Sequence, residues 1–233
     1  MDIHILSLFP DMFLGPFHES IIKRAVDTNL VSIQIHNIRD HAPGRHRVVD
    51  DYPFGGGGGM VMKPEPLFIA LENIKIDMAK SRNPDQMERI KTILLSPQGR
   101  VLNQSISKEL SGLSDIILVC GRYEGIDERV IDELIDLEIS IGDYILSGGE
   151  LPAMVLVDSL IRLLPGALGH QESIEDDSHV KGILQFPQYT RPQIFRDLEV
   201  PKVLLSGDHQ AIDNWRSEKA IERTRSKRPD LME

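Results

Sequence analysis

Ile116-Ile117-Leu118-Val119-Cys120-Gly121-Arg122-Tyr123-Glu124-Gly125-Ile126-Asp127-Glu128-Arg129 begins as an apolar run, breaks into glycines, a tyrosine and carboxylates, and then turns helical in pattern. Glu138-Ile139-Ser140-Ile141-Gly142-Asp143-Tyr144-Ile145-Leu146-Ser147-Gly148-Gly149-Glu150-Leu151-Pro152 follows the same plan. Each apolar run reads as a strand, and each loop after it leads into a helix. That is where open α/β proteins bind ligands, beyond the carboxyl ends of strands. No ordinary core requires this mixture, so both loops read as parts of a site.

Working outward, further β-branched-rich runs at Ile3–Phe9, Val31–Ile35 and Thr92–Ser96 alternate with helical patterns near 12–28, 65–80 and 127–136. This is the βα alternation of a parallel sheet. Leu151–Leu164 carries a long apolar periodicity that stops at Pro165-Gly166. An α/β domain is therefore expected over 1–166, a linker with glycines and the acidic run Glu175-Asp176-Asp177 over 167–182, and a small, mainly helical domain over 183–233. In that last part Pro187, Pro192 and Pro201 punctuate short elements before an amphipathic helix at Gln210–Arg228, with Ile212, Trp215, Ala220 and Ile221 as its apolar members.

The 233 residues, 41% hydrophobic and 27% charged, have the composition of an ordinary globular chain with room for a sizeable core. The single cysteine, Cys120, forms no internal disulfide and no secretory leader opens the chain, so a cytoplasmic protein is expected. The longest apolar stretch is interrupted by Asp158 and Arg162, which excludes a membrane span there. A net charge of −10 argues against blanket nucleic-acid binding, because Lys and Arg neutralising phosphates supply most non-specific affinity. Local basic groups remain: Arg39, Arg45 and Arg47 among His36, His41 and His46, and the run Arg216, Lys219, Arg223, Arg225, Lys227 and Arg228. Either patch is an RNA contact or simply a solvated face.

Other motifs lack the spacing their chemistry needs. Gly55–Gly59 has no Gly-Lys-Ser/Thr after it and no strand before it, so it reads as a flexible loop rather than a phosphate loop. His36, His41 and His46 are five apart and interrupted by Pro43-Gly44, which suits no metal site. The Gly-x-Ser-x-Gly elbow of serine hydrolases is absent. Cys120, after Ile-Ile-Leu-Val, reads as a buried structural thiol. Around Gly142, Gly148 and Gly149, with Ile141 and Leu146, close backbone approach and apolar contact would suit an adenosine with a sulfonium tail; two tight scaffold turns are the plainer alternative.

These two stretches, with Asp51-Tyr52-Pro53-Phe54-Gly55–Gly59-Met60 and Leu204-Leu205-Ser206-Gly207-Asp208-His209, closely resemble the bacterial tRNA (guanine-N1)-methyltransferase (TrmD) family, from about Ile3 to about Leu231. The resemblance implies a SPOUT-class α/β domain with a deep trefoil knot near its carboxyl end. It implies S-adenosylmethionine held by Pro97 and Gly99, by Gly121, Tyr123 and Glu124, and by Ser140, Ile141, Gly142, Asp143, Tyr144, Ile145, Leu146, Gly148, Gly149 and Pro152. The acceptor would be N1 of guanosine 37 of tRNA, immediately 3′ of the anticodon. By motif position the base falls on Asp177, with Asp176 one residue away, and the catalytic arginine on Arg162; a helix N-cap and a structural charge are their plainer alternatives. A homodimer with the active site at the subunit interface and a magnesium requirement are further implications, no motif here naming metal ligands. Gln185-Phe186-Pro187-Gln188 departs from what relatives often carry there. A knotted methyltransferase for another RNA and a catalytically silent RNA-binding module are the competing functions.

Overall fold

The computed structural model describes residues 1–168 and 177–232. The chain divides into two compact units, Met1–Gly169 and His170–Glu233. Along the first run β1 (Asp2–Ser7), a 3-10 turn (Pro10–Phe13), α1 (Leu14–Phe17), α2 (Ser20–Asp27), β2 (Ser32–Asn37), β3 (Asp50–Asp51), β4 (Val61–Met62) and α3 (Pro64–Ala79). Then come α4 (Pro84–Glu88), β5 (Ile90–Val101), α5 (Gln104–Ser111), β6 (Asp115–Cys120), α6 (Glu128–Leu134), β7 (Leu137–Ser140) and α7 (Glu150–Ile161).

Five of these strands form one sheet in the order β2-β1-β6-β5-β7, every neighbouring pair parallel. Alternation of side chains across the pleat sorts the core into two layers. On β6, Ile116, Leu118 and Cys120 join Phe13, Ala153, Leu156, Val157 and Leu160 on one face. Ile117 and Val119 join Leu67, Leu71, Ile74 and Val130 on the other. All six residues of β6 are buried, which is why its sequence is an unbroken apolar run from Ile116 on.

The expected elements appear with informative differences. The helix expected near 12–28 is broken into a 3-10 turn, α1 and α2. Pro16 can donate no helical hydrogen bond, and Ser20 takes a left-handed φ of 53° at the second start. The strand expected to end at Ser96 continues to Val101. Leu95 and Arg100 both face Ile139 of β7, so Ser96–Gly99 loops out and the strand re-pairs. An added Cβ on Gly99 would lie 2.4 Å from the Glu138 carbonyl carbon, so only glycine fits where the chain returns.

At the amino ends of β1 and β6, Arg82 Nε donates to Asp115 at 2.8 Å, its Nη2 donates to Asp2, and the Asp2 amide donates to Asp115 at 2.7 Å. Asp115 is buried; burial pushes its carboxyl up, but Arg82 outweighs that and holds it below the usual carboxylate range. This latch ties two strands at the end of the sheet remote from the loops that follow β6 and β7.

The second unit contains a two-stranded antiparallel hairpin, β8 (Ile194–Phe195) with β9 (Leu198–Glu199), a 3-10 turn at Lys202–Leu205 and the long helix α8 (His209–Lys227). Arg196 and Asp197 turn the hairpin with positive φ at both positions, a turn for which the sequence offers no Asn-Gly signal. Asp208 caps α8 by accepting from the Ala211 amide at 3.0 Å. Thr224 of α8 is buried and accepts from the Leu184 amide at 2.9 Å. Ala220 is buried beside it, whereas Ile221, expected on the apolar face, is exposed. Glu175 and Asp176 lie outside the described residues, as does half of the expected linker. No helix among the described residues is long and apolar enough to cross a membrane.

Candidate active site

A cleft opens where β5 loops out and where β6 and β7 end. Pro97, Gly121, Tyr123, Glu124, Ser140, Ile141, Gly142, Tyr144, Ile145, Leu146, Gly148, Gly149 and Pro152 line it, so the structure gathers these expected residues into one place. Gly99 and Asp143 do not line it: Gly99 is spent on the contact with β7, and Asp143 is turned to solvent. Tyr123, Tyr144, Ile145 and Leu146 are all exposed around the opening, an apolar rim left uncovered in this chain.

The glycines let the loops lock together. The Gly149 amide donates to the Gly121 carbonyl at 2.9 Å, and Arg122 and Gly148 form an isolated antiparallel bridge. An added Cβ on Gly149 would come within 2.8 Å of the Cys120 Cα. Gly142 takes φ 149°, and an added Cβ would fall 2.5 Å from the Tyr144 ring. Ser140 Oγ fixes that turn by accepting from the Gly142 amide at 3.2 Å. Tyr123 sits at φ 60°, a left-handed conformation uncommon for an aromatic residue.

The glycine loop approaches the same cleft. It is the connection of the β3–β4 hairpin, and β4 is stitched to the loop after β6: the Glu124 amide donates to Met60 and the Asp127 amide to Met62, both at 3.0 Å. Gly59 lies so close to Glu124 that an added Cβ would overlap its carboxyl group. Tyr52 and Phe54 before the glycines are fully open to solvent or nearly so.

Beneath the cleft lies an arrangement the sequence did not reveal. Glu150, at the first position of α7, is 1% exposed and bonds two groups: Ser7 Oγ donates to it at 2.8 Å and Arg122 Nε at 3.0 Å. Arg122 also donates to the Ser147 carbonyl at 3.0 Å and lies 4.4 Å over the Phe9 ring centroid. An acid opening a helix ordinarily faces water, so nothing in the pattern marked Glu150 as buried or paired it with Arg122. Cys120 is buried as expected; burial, then Glu150, push its thiol well above the ordinary range, which leaves it neutral and inert.

Arg162 is the C-cap residue of α7 and is half-buried. Asp177 belongs to the second unit. It opens a turn in which the Val180 amide donates to its carbonyl, and it lines a small hollow with Lys181, Phe186 and Arg216. In that hollow the Arg216 guanidinium stands 4.9 Å over the Phe186 ring. His36 pairs with His4 of β1, nitrogen to nitrogen at 2.9 Å. Among the described residues no group of three His, Cys, Asp or Glu could hold a metal ion.

A parallel α/β unit with a glycine-lined cleft beyond its strand ends has the architecture of the α/β class, in which ligands bind at that place. Compared with known families, the whole chain, residues 1–233, matches the model described as tRNA (Guanine-1)-methyltransferase TrmD. A tRNA (guanine-N(1)-)-methyltransferase of Dehalococcoides mccartyi is 52% identical over 233 residues, all of this chain and 91% of the relative. One from Geobacter sulfurreducens is 53% identical over 232 residues, with 100% and 91% covered, and one from Staphylococcus epidermidis is 51% identical over 233, with the same coverage. The chain belongs to the TrmD family of tRNA (guanine-1)-methyltransferases.

Proposed function

We propose that this protein transfers a methyl group from S-adenosylmethionine to N1 of guanosine 37 in tRNA, in the cytoplasm. The observation that carries the donor half is the cleft, in which loops from β5, β6 and β7 converge and which glycine backbone lines together with exposed Tyr144, Ile145 and Leu146. Such a lining suits an adenosine and an extended aliphatic tail. The convergence of three loops at one place also supports the trefoil knot of the SPOUT class.

Guanine N1 carries a proton at neutral pH, so its lone pair is free to attack only once a base takes that proton. Asp177 takes it, and Arg162 stabilises the negative charge that develops on O6. S-adenosylmethionine supplies an electrophilic sulfonium methyl group. Positioning of base, acceptor and donor is where much of the barrier reduction in such a transfer arises. A magnesium requirement, implied by the family resemblance, belongs to the same reading.

We further propose a homodimer that completes the site, supported by Leu151 and Val155, one turn apart on α7 and 51% and 47% exposed despite their apolar character. The experiment is to incubate the protein with methyl-labelled S-adenosylmethionine and tRNA transcripts bearing guanosine or adenosine 3′ of the anticodon, then digest and identify the labelled nucleoside. 1-Methylguanosine from the guanosine transcript alone, lost in Asp177→Asn, is expected. Label retained by Asp177→Asn would move the base elsewhere, and no label from any tRNA would favour another RNA or a binding role.

A further inference from the structure

We propose that Arg122 and Glu150 form a charge-neutral clamp that holds the donor loops and makes the cleft tolerant of a cationic ligand. The proposal rests on the donor reading above. Arg122 and Gly148 line the cleft, and the buried Glu150 lies against both of them. Between them they join the loop after β6, the Ser147 carbonyl before α7, the first turn of α7 and Ser7 at the end of β1. A buried carboxylate with these partners is costly to leave unpaired, so the pair fixes the loops in one arrangement.

The electrostatic consequence is separate from the mechanical one. S-adenosylmethionine carries a positive sulfonium, and an arginine lining its cleft would repel it; Glu150, 3.0 Å from the guanidinium, cancels that repulsion. S-adenosylhomocysteine, a neutral thioether of nearly the same shape, does not feel the difference. The two ligands therefore separate charge compensation from mere support of the fold. Removing the carboxylate charge disfavours the cationic ligand, and removing the arginine favours it.

The test is calorimetric titration of the full-length protein with both compounds, with circular dichroism as the fold control. Glu150→Gln is expected to weaken S-adenosylmethionine about tenfold while S-adenosylhomocysteine changes by about threefold or less. Arg122→Met is expected to weaken S-adenosylhomocysteine more than S-adenosylmethionine, shifting the preference the opposite way. Because the two variants are predicted with opposite sign, either one that folds decides the matter. An unchanged ratio of the two affinities overturns the clamp's electrostatic role even if both affinities fall. Wild-type protein that takes up neither compound overturns the donor reading itself, and with it this proposal.

Discussion

At Gly149 a single methyl group would be too much. An added Cβ would lie 2.8 Å from the Cys120 Cα and 3.1 Å from the Gly121 nitrogen, both backbone atoms at the end of the most deeply buried strand, where nothing can yield. Gly149→Ala is expected to lower the melting temperature and to weaken S-adenosylmethionine at least tenfold, as seen by thermal denaturation and calorimetry. Gly58→Ala, with nothing within 4 Å of the added atom, should leave the melting temperature unchanged. The sequence made the need for glycine at 148 and 149 legible, but not its cause. It suggested room for a ligand, whereas at Gly149 the close neighbour is the protein's own chain. Arg122 and Glu150 escaped for a related reason: 28 positions apart, their pairing depends on how two loops fold back on each other, which no local pattern encodes.

Among the elements, β1 and β6 were readable because buried parallel strands are nearly uniform runs of apolar residues, whereas β2 and β7, at the two edges of the sheet, were readable from shorter runs in which isoleucines alternate with polar residues. β5 was readable only to Ser96, since Pro97 and Gly99 are ordinary signs of a strand's end, and the return to β7 is a long-range event. The pairing of β1 with β2 carries its own titration. His36 is pushed down to about 4 from an ordinary 6.5 by burial first and then by His4 and His41, with Asp77 opposing. The unfolded chain therefore binds more protons than the folded one between those values. Stability from this site is complete above about pH 6.5 and falls as the pH drops toward about 4. Urea denaturation at pH 7 and pH 5 should show a lower midpoint at pH 5, and His36→Gln should shrink that difference.

For the whole molecule, the uncovered apolar residues of α7 and the rim of the cleft set an expectation about assembly. Sedimentation should find a dimer, and Leu151→Glu with Val155→Glu should give a folded monomer with little or no methyl transfer, since the proposed site is completed by a second copy. The latch of Arg82, Asp115 and Asp2 at the opposite end of the sheet would be untouched by that change. There is one more consequence of β5. Because Leu95 and Arg100 answer to the same residue of β7, the length of chain between them is slack that the sheet never measures. An extra residue at Ser96–Gly99 would lengthen the rim of the cleft and leave both layers of the core in register, whereas the same insertion in β6 would turn every following side chain to the wrong face. The reach of the cleft rim is thereby uncoupled from the register of the sheet that carries it.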